Sequence, residues 1–149
     1  MTTRKAGIAA VLGGLGLAAA LGAPGLAQEK GRYAYTGASL FGEYETGHKG
    51  AGEDASGDFT AEMDFKTGQM CYMLEVSGLD TVTAAHIHQA RKGANGPPVV
   101  TLELASEDKC IAVDVELMKD IMKNERDYYV NVHTEAFPDG AIRGQLDQS

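Results

Sequence analysis

The clearest pattern along the chain is a run of alternating apolar and polar positions. Phe59, Ala61, Met63 and Phe65 share one parity, while Thr60, Glu62, Asp64 and Lys66 share the other. A period of two marks a strand with one face in a core and the other in water. The turn Lys66-Thr67-Gly68-Gln69 leads into a second such run, with Met70, Tyr72, Leu74 and Val76 inward and Cys71, Met73 and Glu75 outward. The two predict a hairpin. Further strands are predicted at Tyr33–Phe41, at Thr83–His88 with Ala85 and Ile87 inward, and at Val99–Leu104 with Val100, Leu102 and Leu104 inward. Lys109–Asp114 follows with Ile111 and Val113 inward. Tyr128–Thr134 sends Val130 and Val132 inward and Tyr129, Asn131 and His133 outward. Ala141–Leu146 sends Ile142 and Leu146 inward.

The segments between these runs lack a period. Residues 42–57 are glycine-rich and acidic, and residues 89–98 carry Gly93, Asn95-Gly96 and Pro97-Pro98, so both read as loops. In Phe137-Pro138-Asp139-Gly140, proline presets φ and glycine takes the left-handed position of a turn. One stretch, Val115–Arg126, repeats Val115, Met118, Ile121 and Met122 at helical spacing behind a candidate N-cap, Asp114. Its methionines read as core filler rather than soft copper ligands. The sum is an all-β fold: an antiparallel, Greek-key-like β-sandwich or flattened barrel of about eight strands with one short helix.

The first residues do not fit that pattern. Arg4 and Lys5 precede an apolar stretch from Ile8 to Leu21, and Gly25-Leu26-Ala27 places small residues before Gln28. This is the layout of a secretory signal, predicted to be cleaved after Ala27 so that residues 28–149 form one domain. The alternative is an uncleaved N-terminal anchor. The stretch is short and glycine-diluted for a membrane-spanning helix, which needs about 20 apolar residues, so no stable membrane insertion is expected after cleavage. The implied location is the periplasm or the medium. Both cysteines, Cys71 and Cys110, fall in the mature part, where an oxidising compartment favours a disulfide over two buried thiols or a soft metal ligand.

The formal charge of −8 over 149 residues disfavours phosphate backbones, so nucleic acid is not an expected partner. No serine sits in a G-x-S-x-G elbow, and no phosphate-cradling glycine spacing or EF-type calcium loop is present. Glu43, Glu45, Glu53 and Asp54 lie in the first loop and read as solvated charge.

The histidines carry the chemical signal. His86 and His88 are two apart on one strand and so leave the same face. Imidazole suits copper and zinc, and His133 has the matching outward parity on another strand. His86, His88 and His133 are therefore the candidate metal ligands, with water or Glu45 to complete the set. Surface histidines hydrogen-bonded to their neighbours are the competing reading. His48, in Gly47-His48-Lys49-Gly50, reads as solvent-exposed.

Four segments resemble the chordin-type (CHRD) domain of secreted proteins. They are Leu40-Phe41-Gly42-Glu43-Tyr44-Glu45, then Ala84-Ala85-His86-Ile87-His88 with Asn95-Gly96-Pro97-Pro98-Val99-Val100, then Tyr128 to Thr134, and finally Gly140 to Leu146. Ala90 and Pro98 depart from that pattern within the loop after His88. The resemblance implies a β-sandwich module outside the cytoplasm. The growth-factor partner of chordin does not carry over to a short chain. His86-Ile87-His88 also looks like the copper-ligand strand of copper–zinc superoxide dismutase. The full two-metal site of that enzyme needs six histidines, and this chain has four. A shared fold alone proves no shared reaction.

The expected function is a non-catalytic module holding one copper, or zinc, ion. The first alternative is a metal-free structural or protein-interaction module, with Arg143 paired to a carboxylate. The second is a mononuclear copper redox enzyme.

Overall fold

A computed structural model describes residues 31–104 and 108–147; the segment read as a signal, Met1–Ala27, lies outside them. Eight strands are present: β1 (Tyr33–Phe41), β2 (Ser56–Asp64), β3 (Gln69–Ser77), β4 (Val82–Gln89), β5 (Pro98–Leu102), β6 (Lys109–Ala112), β7 (Tyr128–Thr134) and β8 (Ile142–Gln145). One α-helix, α1 (Val115–Lys123), lies between β6 and β7.

All strands pair antiparallel in a single sheet of order β5-β4-β7-β8-β1-β2-β3-β6. The sheet curls so that its edges, β5 and β6, flank one groove of about 660 Å³. The phenol of Tyr72 on β3 stitches across the seam. Its hydroxyl donates to the Glu103 carbonyl at 3.0 Å and accepts from the Glu103 amide at 2.6 Å. Read around this seam, β3-β6-β5-β4 is a Greek key: three consecutive strands with the preceding one beside the last. The predicted all-β barrel with one helix is what forms.

The β2–β3 hairpin forms with Met63 opposite Met70. At its turn Gly68 adopts φ 70°, and the Asp64 carboxylate accepts from the amides of Lys66 and Thr67. Phe59, Ala61, Met63, Met70 and Tyr72 join Ile87, Val100, Val130, Val132 and Ile142 in one core. The helix adds Met118 and Ile121 to it, so its methionines are packing residues. Asp114 caps α1 by accepting from the amides of Glu116 and Leu117. The helix stops at Lys123, short of Arg126, and the chain continues as a 3₁₀ turn, Glu125–Asp127.

Alternation overreaches at strand ends. Val76 and Leu104, inward by parity, lie exposed: β6 pairs with β3 only from Gln69 to Tyr72, and β5 ends at Leu102. Cys71 and Cys110 face each other directly across the β3–β6 pairing and are bonded. The outward parity they share is what lets the bridge form.

The largest departure from simple alternation is β7, whose two faces are both covered. The outer face of β7 and β8 lies beneath two loops, residues 42–55 and 90–97. These are the aperiodic segments of the sequence, and they roof the histidine strands.

Candidate metal centre

Pairing of β4 with β7 sets His86 opposite Asn131, Ala84 opposite His133 and His88 opposite Tyr129. His133 is therefore the diagonal neighbour of His86 on the outer face, close enough for long side chains to meet. Ring centroids are 5.6 Å apart for His86–His88, 5.2 Å for His86–His133 and 6.1 Å for His88–His133. One ring nitrogen from each lies within 4.8 Å of the other two.

Two of the rings are fixed by the backbone. His88 Nδ1 lies 2.9 Å from the Gly96 carbonyl, and His133 Nδ1 lies 3.0 Å from the Pro138 carbonyl. A carbonyl oxygen only accepts, so each Nδ1 carries the proton and each Nε2 keeps a free lone pair. Those two Nε2 atoms, with His86 Nδ1, are buried and have no hydrogen-bond partner. Buried polar atoms are almost always partnered, so an orphan ring nitrogen on each of three grouped histidines calls for an explanation. A divalent ion supplies one, because copper and zinc accept such imidazole lone pairs as ligands. Burial holds His86 and His88 below the usual imidazole pKa, and the neighbouring rings add to the shift. The neutral form that a metal requires is thus favoured.

A layered stack supports the centre. Tyr129 stacks on His88 at 4.9 Å and 15°, and the Arg143 guanidinium carbon lies 3.4 Å from the centroid of the same phenol ring. Arg143 is 2% exposed. Its fork donates to the Ala94 carbonyl at 2.7 Å, Asn95 Oδ1 at 3.0 Å, Thr46 Oγ1 at 3.2 Å and the Arg91 carbonyl at 3.4 Å. It therefore ties both roofing loops to β8, through carbonyl, amide and hydroxyl oxygens rather than a salt bridge to a carboxylate. Asn95 Nδ2 completes the tie by donating to the Thr46 carbonyl.

Glu45 departs most from the sequence reading. Its side chain is 1% exposed, not solvated. Burial raises its pKa, opposed by His48 and Arg143 and by hydrogen bonding from Asn131. His48 Nε2 stands 3.8 Å from Glu45 Oε2. Glu45 is not in the three-histidine group, so it does not complete that set here. His48 is exposed, as read, yet it borders the same cleft as His88 and His133. All four histidines of the chain gather in one region.

Two glycines make this packing possible. A Cβ on Gly140, at φ 137°, would stand 2.6 Å from the Glu45 carboxylate. A Cβ on Gly96 would stand 1.9 Å from the Gln89 carbonyl, where the loop closes to present its own carbonyl to His88. Tyr129, Asn131 and Arg143 escaped the sequence reading as site residues. Their available signal was shared outward parity with His133 on β7, and register with it on β8.

Comparison with known proteins bears on this geometry. The model of the CHRD domain matches residues 36–146, about three quarters of the chain. The chain belongs to the CHRD domain family. No curated protein and no solved structure matches it. Among the described residues, no helix is long and apolar enough to cross a membrane.

Proposed function

We propose that this protein is an extracytoplasmic, non-catalytic binding module that holds one copper ion, or zinc in its place, through His86, His88 and His133. The observation that carries the reading is the grouping of three histidines, each with a buried, unpartnered ring nitrogen, two of them on rings whose other nitrogen is held by a backbone carbonyl. Such outer hydrogen bonds fix ring orientation and raise the basicity of metal-binding histidines. Among divalent first-row ions, an imidazole set binds copper most tightly, and imidazole also suits zinc. The bonded Cys71–Cys110 pair fits an oxidising compartment, in line with the signal-like N-terminus and with the family.

The test is calorimetric titration and elemental analysis of protein purified without a histidine tag. One copper per chain is expected, with zinc competing. At a free copper concentration about 100 times Kd, the metal should stabilise the fold by about 2.7 kcal/mol. The His86→Ala/His88→Ala variant should lose both the heat and the stabilisation. Equal heat from that variant, or none from the parent, would return the histidines to a metal-free scaffold.

A further inference from the structure

We infer that the coordination position left by the three histidines is filled from the adjoining cleft by a small inorganic anion of two or three heavy atoms. The inference rests on the metal reading above.

Charge is the first ground. Three neutral imidazoles leave the ion its whole charge, and an unneutralised charge in a partly buried site is costly. Among the described residues, no carboxylate is grouped with the three histidines. Glu45 is engaged electrostatically with Arg143 and His48 and is not among the grouped donors. Asp139 borders the cleft but is exposed on the outer turn. Arg143 adds a further positive charge behind Tyr129.

Space is the second ground. A cleft of about 390 Å³ runs against His88 and His133, with Thr46, Asn95 and Gly96 in its walls. Three protein donors leave a metal at least one further position. The cleft reaches two of the three histidines, and the unpartnered ring nitrogens are shielded from solvent, which favours a slim ligand. With a metal held there, one lone pair of the anion would form a bond to it in exchange for a water ligand. The oxidation state of the metal does not change.

Azide is the probe. The protein is loaded with copper(II), and elemental analysis establishes one copper per chain before azide is added. Sodium azide is then titrated while near-ultraviolet absorption and electron paramagnetic resonance are followed. One saturable charge-transfer band, with a matching change in the resonance spectrum and full copper retention after azide is dialysed away, is the expected result. Benzoate carries the same charge on a broader body and should leave the azide midpoint unchanged. A copper-loaded protein that shows no azide band overturns the inference, as does competition by benzoate. A band that appears only in Asp139→Asn overturns it too, by making that carboxylate the occupant. Failure to load copper overturns the centre itself, and is read before azide enters.

Discussion

Arg143 lies over the ring of Tyr129, its guanidinium carbon 3.4 Å from the ring centroid. The cation is nearly sealed from water, and its remaining donors reach oxygens on two separate loops. One side chain thereby couples a sheet face, an aromatic support for His88 and the roof above the histidines.

Replacing this hub should be costly. Arg143→Ala leaves the Ala94 carbonyl and Asn95 without their donor, and is expected to destabilise the fold by about 2–4 kcal/mol. Arg143→Lys should recover only part of that, because a point charge cannot serve a planar fork of acceptors. Urea denaturation of the three proteins checks the order. A lysine variant as stable as the parent would show that the fork geometry does not matter.

Tyr129 acts on the centre through His88. Tyr129→Leu removes the stacked ring and the hydroxyl that accepts from the Gly96 amide, while keeping an apolar filler. Copper affinity should fall about 10-fold or more, as for other partners that orient metal-binding histidines. Tyr129→Phe keeps the stack and should fall less. Competition against a chelator of known affinity measures both.

The metal-free protein should lose stability on mild acidification. In the unfolded chain His86 and His88 titrate near the ordinary value of 6.5, while burial lowers both in the fold. Between the folded and unfolded values the unfolded chain binds more protons, so stability rises with pH there. The contribution is complete above pH 6.5 and is lost as pH falls through that value toward the lower folded ones. Denaturation midpoints across this range should slope accordingly, and less steeply in His86→Asn/His88→Asn. Identical slopes in the two proteins would contradict the assignment.

The Cys71–Cys110 bridge joins residues 39 apart in sequence. Closing a loop of that length stabilises by about 2–4 kcal/mol, largely by restricting the unfolded chain. Cys71→Ser/Cys110→Ser should lose about that much in equilibrium denaturation. Its copper stoichiometry should not change, because the bridge ties β3 to β6 while the histidines stand on β4 and β7.

Strand content was legible because alternation reports burial directly. Phe59 to Met63 and Met70 to Tyr72 pack as their parity demands, and His86, His88 and His133 share an outer face for the same reason. Alternation assumes, however, that the other face meets water. On β7 and β8 that face meets two loops, which turns Asn131 and Arg143 into buried residues. Loop placement depends on contacts distant in sequence, such as Arg143 with Thr46, and carries no period to read. Glu45 was misjudged for the same reason, since glutamate in a glycine-rich acidic stretch ordinarily stays in water.

The Tyr72 staple has one more consequence. Among the described residues, backbone pairing runs unbroken around the sheet from β5 to β6, and the Tyr72 phenol reaches across the gap between those two edges. The covalent cross-link secures one margin of that gap, and the imidazole cluster stands on the strands beyond the other. On the proposed metal reading, oxidation and ion capture fasten opposite flanks of the molecule, and neither event waits on the other.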